Sequence, residues 1–169
     1  QVAVLASLMV GGTAFAEQKI AVLDMQMALM ESNAAKQYEA QDEKKFGARF
    51  EKIKALEAEA LKLQQRLQKD GEKMKQAEFE RLELDYNQQV REIQTQSQEF
   101  NDARAQAEQA FLQEVKPKLD SAIEEVLKAG NYDLVIDRAA VIDVSPKLDI
   151  TLRVVERLNQ MRWYEQLFL

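Results

Sequence analysis

Phe79-Glu-Arg-Leu-Glu-Leu-Asp-Tyr86 opens the stretch that decides the fold. Its apolar positions continue through Val90, Ile93, Phe100, Ala103, Ala107, Phe111, Val115, Leu119, Ile123 and Val126 at helical spacing. The run closes at Ala129-Gly130-Asn131, where Gly130 suits the left-handed position that ends a helix. About fifty helical residues at 1.5 Å each span roughly 75–80 Å, far more than a small domain. Upstream, Phe46, Phe50, Ile53, Leu56, Ala60, Leu63 and Leu67 recur at a mean step of roughly 3.5, a narrow coiled-coil seam rather than a wide core-facing stripe. From 34 to about 69 only Gly47 opposes a helix, and Asp70-Gly71 then breaks the pattern. Two long helices with one break must double back, which predicts an antiparallel hairpin arm over 34–128 with its tip near 69–76. Gly47, Gly71 and Pro117 are the candidate hinge or tip positions. Pro117 removes one backbone bond to residue i−4, so a kink is expected there, with the residues after it belonging to the base.

The flanks supply that base, over 17–33 and 129–162. Lys19-Ile-Ala-Val-Leu-Asp-Met25 alternates and is rich in branched residues, as a strand requires. Residues 27–31 suit one short helical turn, with Met25, Met27 and Met30 expected in the core. Ser32 or Asn33 can cap the next helix through a side-chain oxygen. Tyr132-Asp-Leu-Val-Ile-Asp137 reads as a strand, and 139–144 as a second strand or a turn. After Ser145-Pro146, Asp149 can cap a last helix running through Arg162, with Ile150, Val154, Val155 and Leu158 on one side. A base of about fifty residues buries too little surface to be comfortable alone. Its strands also leave open edges. A homo-oligomer joined through the base solves both problems; a monomer whose arm folds over the base is the alternative.

Composition narrows the chemistry. The 169 residues include no Cys and no His, and the formal net charge is −6. A thiol nucleophile, a Ser-His triad and a soft metal site are thereby excluded, and no cofactor is expected. The acidic balance argues against nucleic acid, whose phosphates need a Lys/Arg surplus. At the start, Val2 to Val10 is apolar and Ala14-Phe15-Ala16 has small residues at both positions of a cleavage site. Residues 1–16 therefore read as an N-terminally incomplete signal peptide, cleaved after Ala16, which places the mature protein outside the cytoplasm. A buried N-terminal element is the competing reading.

The order of elements resembles the Skp/OmpH family of periplasmic chaperones. The likeness covers about 17–162. It rests on Lys19-Ile-Ala-Val-Leu-Asp-Met25, on Tyr132-Asp-Leu-Val-Ile-Asp137 followed by Ala139-Ala140-Val141, and on Asp149-Ile150-Thr151 before the last helix. The resemblance implies a mainly α fold with a small β body, in which a long coiled-coil hairpin projects from a trimerising base as a prefoldin-like, jellyfish-shaped assembly. It implies a non-enzymatic, ATP-independent periplasmic holdase for unfolded outer membrane β-barrel proteins in transit. It also places Ile20, Val22, Leu23, Leu134, Val135 and Ile136 in the body that joins the protomers. Two features depart from the family. Its familiar members are basic, whereas the returning helix here is acidic, as at Glu78, Glu80, Glu83 and Asp85. That charge argues against membrane or lipopolysaccharide contact, and no such site is assigned. The stretch 163–169 runs past the usual family end, with no role assigned.

A holdase meets many unfolded sequences, so several weak contacts on tethered arms suit it better than one deep pocket. Phe79, Tyr86, Phe100 and Phe111 could offer apolar contact, but aromatics at this spacing ordinarily pack on the partner helix. Three other readings compete. An exported coiled-coil scaffold would share the arm but would not need a split β body. An enzyme could pair Asp24 with Asp137, yet no phosphate loop or third acid accompanies them. A DNA-compacting protein is disfavoured by charge.

Overall fold

The computed structural model describes residues 18–166. The expected signal segment, 1–16, lies outside them, as do the last three residues of the tail. In chain order the elements are β1 (Ile20–Leu23), α1 (Met25–Met30), α2 (Asn33–Asp70), α3 (Gln76–Gly130), β2 (Leu134–Asp137) and α4 (Thr151–Gln160). Short 3-10 turns occupy Gly71–Lys73, Arg138–Ala140 and Trp163–Gln166.

The arm is α2 packed antiparallel on α3, reversing through Gly71–Lys73. Ser32 starts α2: its hydroxyl accepts from the Ala35 N–H at 3.1 Å and donates to the Leu29 carbonyl at 2.6 Å, so a fully buried polar group is satisfied. At the tip, a Cβ on Gly71 would lie 3.0 Å from the Phe79 ring, so the ring's close approach favours glycine. α3 runs 55 residues, about 80 Å, and stays helical through Pro117. Its end corrects one expectation. The left-handed residue is Asn131 (φ 51°), while Gly130 is still helical. Gly130 is needed for another reason: a Cβ there would sit 2.1 Å from the Tyr132 ring folded back on it.

In the base, β1 and β2 pair in parallel, with Ile20 opposite Leu134 and Leu23 opposite Asp137. Parallel strands need a crossover, and here the crossover is the whole arm. The other edge of β1 is also used. The Val22 N–H donates to the Leu148 carbonyl (2.8 Å), and the Ile150 N–H donates to the Val22 carbonyl (2.9 Å). Asp149 accepts from the Thr151 N–H at 2.9 Å at the start of α4. That helix ends at Gln160, short of the expected Arg162, which instead turns the chain with a left-handed φ of 51°. Residues 139–144 form no strand; Arg138–Ala140 is a 3-10 turn whose Asp137 cap accepts from Ala139 N–H.

Among the described residues, three apolar clusters hold the chain together. The base core joins Ala21, Leu23 and Ala28 to Ile150, Val154 and Leu158, and takes in Leu119 and Ala122 from α3 beyond Pro117. At the arm's root, Ala34, Ala35, Phe111 and Val115 pack around Tyr164. Further out, Phe46 and Ile53 close on Phe100. Met25, Met27 and Met30 do not enter the core; all three are exposed, because α1 buries only Ala28. Phe50 likewise stands half out of the seam that its spacing suggested.

Candidate functional site

Two surfaces distinguish this molecule from a closed globule: the root of the arm and the outer side of the base. At the root, Tyr38 stacks on Phe111 with centroids 4.5 Å apart, and further out Phe46 meets Phe100 edge to face at 6.0 Å. Arg104 bridges to Asp42 at 2.9 Å and Arg49 to Glu99 at 2.7 Å, and Arg66 reaches Glu78 at 3.0 Å near the tip. These pairs fix register more than they add stability, since most of their partners remain wet. Burial, together with the carboxylates of Asp42 and Glu108, pushes the Tyr38 hydroxyl above its ordinary pKa. Between the two aromatic contacts the helices leave a cleft of about 460 Å³, lined by Tyr38, Phe46, Ala107, Ala110 and Phe111. A second, of about 240 Å³, opens beside Phe46, Gly47, Phe50 and Arg104.

The candidate aromatics divide by position. Phe100 and Phe111 are buried in the helix pair, whereas Phe79 and Tyr86 are half-buried. At Gly47 an added Cβ would meet only Glu43 Cγ at 3.9 Å, so packing within the chain does not require glycine there.

The six base residues do not share one environment. Val22 and Leu23 are each only 3% exposed and serve the chain's own core. Ile20, Val135 and Ile136 are half-buried, and Leu134 is 51% exposed. Among the described residues β2 pairs only with β1, leaving its outer edge free. Elsewhere on the base, Ile142 is fully exposed and Leu148 and Leu152 are exposed as well. Sequence reasoning missed these three. For Ile142 and Leu148 the available clue was 139–148, where apolar residues recur without the periodicity of a buried element; Leu152 lies in α4, off the face of Val154, Val155 and Leu158.

Asp24 and Asp137 are both engaged as caps, accepting from the N–H groups of Met27 (2.8 Å) and Ala139 (2.7 Å). The tail also acquires a place. Trp163 and Tyr164 pack into the base and arm root, and the Asn33 amide approaches the Tyr164 hydroxyl at 3.4 Å. Among the described residues no helix is long and apolar enough to cross a membrane, and no cluster of three or more acidic side chains could hold a metal ion.

Residues 19–158 match the family model described as outer membrane protein (OmpH-like). A Skp-like protein from Pseudomonas aeruginosa is 52% identical over 161 residues, covering 95% of this chain and 96% of the relative. A chaperone protein Skp from Yersinia enterocolitica is 26% identical over 141 residues, 83% of this chain and 86% of the relative. The solved structure of an OmpH-like protein from Caulobacter crescentus superposes with a TM-score of 0.62 at 20% identity, covering 86% of each chain, a likeness of fold. Split β body, hairpin arm and these matches agree: the chain belongs to the OmpH-like family, alongside the Skp-like proteins.

Proposed function

We propose that this chain is a periplasmic holdase chaperone that binds unfolded outer membrane β-barrel proteins, without ATP, and keeps them from aggregating on their way to the outer membrane. The observation that carries the reading is a hairpin about 57 Å long, the length of α2, on a base too small to close over it. Such an arm presents extended, charged, weakly apolar surface instead of a pocket shaped to one ligand. Its work is reversible binding, with no bond made or broken. Family kinship supports the same role.

The base assembles copies of the chain. The unpaired edge of β2 and the exposed Leu134 and Ile142 of the base are unfinished surface of the kind that another copy covers. Three copies, as in the family resemblance, would set three arms around a common space. Contacts from several arms to one client raise the effective concentration of each later contact, so weak individual contacts sum to a stable hold. Gly47, the Gly71 tip and Pro117 are the places where an arm adjusts to client size. Residues 1–16 serve as the export signal, removed after Ala16.

A light-scattering assay tests this. An outer membrane β-barrel diluted from urea is expected to stay dispersed in the presence of a modest amount of the mature protein, with no nucleotide added. Unchanged aggregation at excess protein would leave the exported coiled-coil scaffold as the better reading.

A further inference from the structure

Arm and base are joined through two weak points that lie at one level. On the incoming side α1 ends at Met30 and α2 begins at Asn33, with Glu31 and Ser32 as a turn between them. On the returning side Pro117 lies inside α3 and supplies no N–H, so the Gln113 carbonyl, four residues earlier, lacks its helical donor. The cores change at the same place. Val115 packs with Ala34 and Ala35 in the cluster at the arm's root, whereas Leu119 and Ala122 pack with Ala28 in the base. Two weak points side by side make a joint about which the arm can tilt.

The tail crosses that joint. α4 belongs to the base core, and beyond Arg162 the turn Trp163–Gln166 returns to the arm. Trp163 packs against both clusters, and Tyr164, 8% exposed, shares the root cluster with Ala34, Ala35, Phe111 and Val115. Its docking carries costs. Arg162 holds a left-handed φ of 51° although it is not glycine, and the Trp163 indole N–H is buried with no acceptor among the described residues. The contact from the Asn33 amide to the Tyr164 hydroxyl is long, at 3.4 Å, and offsets little. A strained turn and an unmet donor suit a segment that is held by packing and able to let go.

We infer that Trp163 and Tyr164 form a strap that fixes the angle of the arm to the base, and that the arm swings at the joint beside Ser32 and Pro117 when the strap lets go. The empty protein keeps the strap docked, because Tyr164 fills the root cluster. A client wider than the resting gap tilts the arm and draws the strap out. This last step rests on the chaperone reading; the strap itself does not.

The chain has no Cys, so Gln98→Cys and Glu156→Cys place one spin label on the arm and one on α4, both at exposed positions. Gln98 lies about 29 Å along α3 from Pro117, so a swing of about 20° moves it about 10 Å. Diluting labelled chains with unlabelled protein isolates the distance within one protomer, which double electron–electron resonance reads. The labelled full chain should give one narrow distance. Tyr164→Ser should spread it by about 10 Å. The emission of Trp163, the sole Trp, should shift to the red in the same variant. Tyr164→Phe should keep the distance narrow. Ile53→Ala should do so too, since it loosens the outer arm cluster without touching the tail, and lost stability alone then does not imitate the strap. Adding an unfolded outer membrane β-barrel should give the labelled protein the spread of Tyr164→Ser. A narrow distance in Tyr164→Ser would overturn the strap. A narrow distance beside a barrel that light scattering shows to be held would overturn its release by clients. Absence of any protection in light scattering would remove the chaperone reading, and the Tyr164→Ser distance would still decide the strap.

Discussion

Two glycines show how far residue identity goes without context. Gly47 and Gly130 both sit within helices, where glycine costs about 0.5–1 kcal/mol relative to alanine. At Gly47 a methyl group meets only Glu43 Cγ at 3.9 Å, so Gly47→Ala should stabilise the fold by about 0.5–1 kcal/mol, read as a higher urea midpoint. If Gly47 serves arm adjustment, the more stable variant should also protect large clients less well. At Gly130 the same change drives a methyl into the Tyr132 ring, and Gly130→Ala should cost about 1–3 kcal/mol. From sequence both positions read as chain breakers or caps; only the ring folded back from Tyr132 separates them. Tyr38 makes a pH prediction. Its hydroxyl has a raised pKa in the folded arm because burial and the charges of Asp42 and Glu108 disfavour the phenolate. A raised folded pKa means that the contribution is fully present below about pH 10 and is lost as pH rises through the folded value. Unfolding curves should therefore show stability falling above about pH 10, less steeply in Tyr38→Phe.

At the scale of elements, the arm was the most legible part. A repeat near 3.5, one break and few helix-opposing residues leave little besides a hairpin, and α2 and α3 occupy nearly the spans that the pattern marks. The base was less legible because its packing is long-range. β1 lies between β2 and the segment before α4, partners more than a hundred residues away in sequence. The exposure of Met25, Met27 and Met30 follows from the shortness of α1, which turns only Ala28 inward, and hydrophobicity alone could not reveal it. Of the cleft, the alanines opposite Tyr38 and Phe46 were visible as letters, but not their meeting across the pair. The tail was opaque for a similar reason, since Trp163 and Tyr164 follow a turn with no periodic signature. Tyr164 lies in the cluster that joins Ala34 and Ala35 of α2 to Phe111 and Val115 of α3. Tyr164→Ala should cost about 2–4 kcal/mol, read as a lower urea midpoint. Hydrogen exchange should rise at the arm's root before it rises at the tip.

For the whole molecule, the decisive feature is the imbalance between a long arm and a small foot. The net charge of −6 keeps such an extended surface dispersed and makes anionic partners poor ones. In the proposed reading, copies meet at the foot's free strand edge and its outward apolar residues. Ile142 is fully exposed on the single chain, so Ile142→Glu should leave its secondary structure intact while shifting the mass toward the monomer. An unchanged mass would move the interface away from this surface. The most direct test of the central claim is the mass of the mature protein, by size-exclusion chromatography with light scattering, alone and with one unfolded outer membrane β-barrel protein. The account predicts a stable oligomer that gains the mass of a single client with no nucleotide present. A monomer whose mass is unchanged by the unfolded barrel would contradict it.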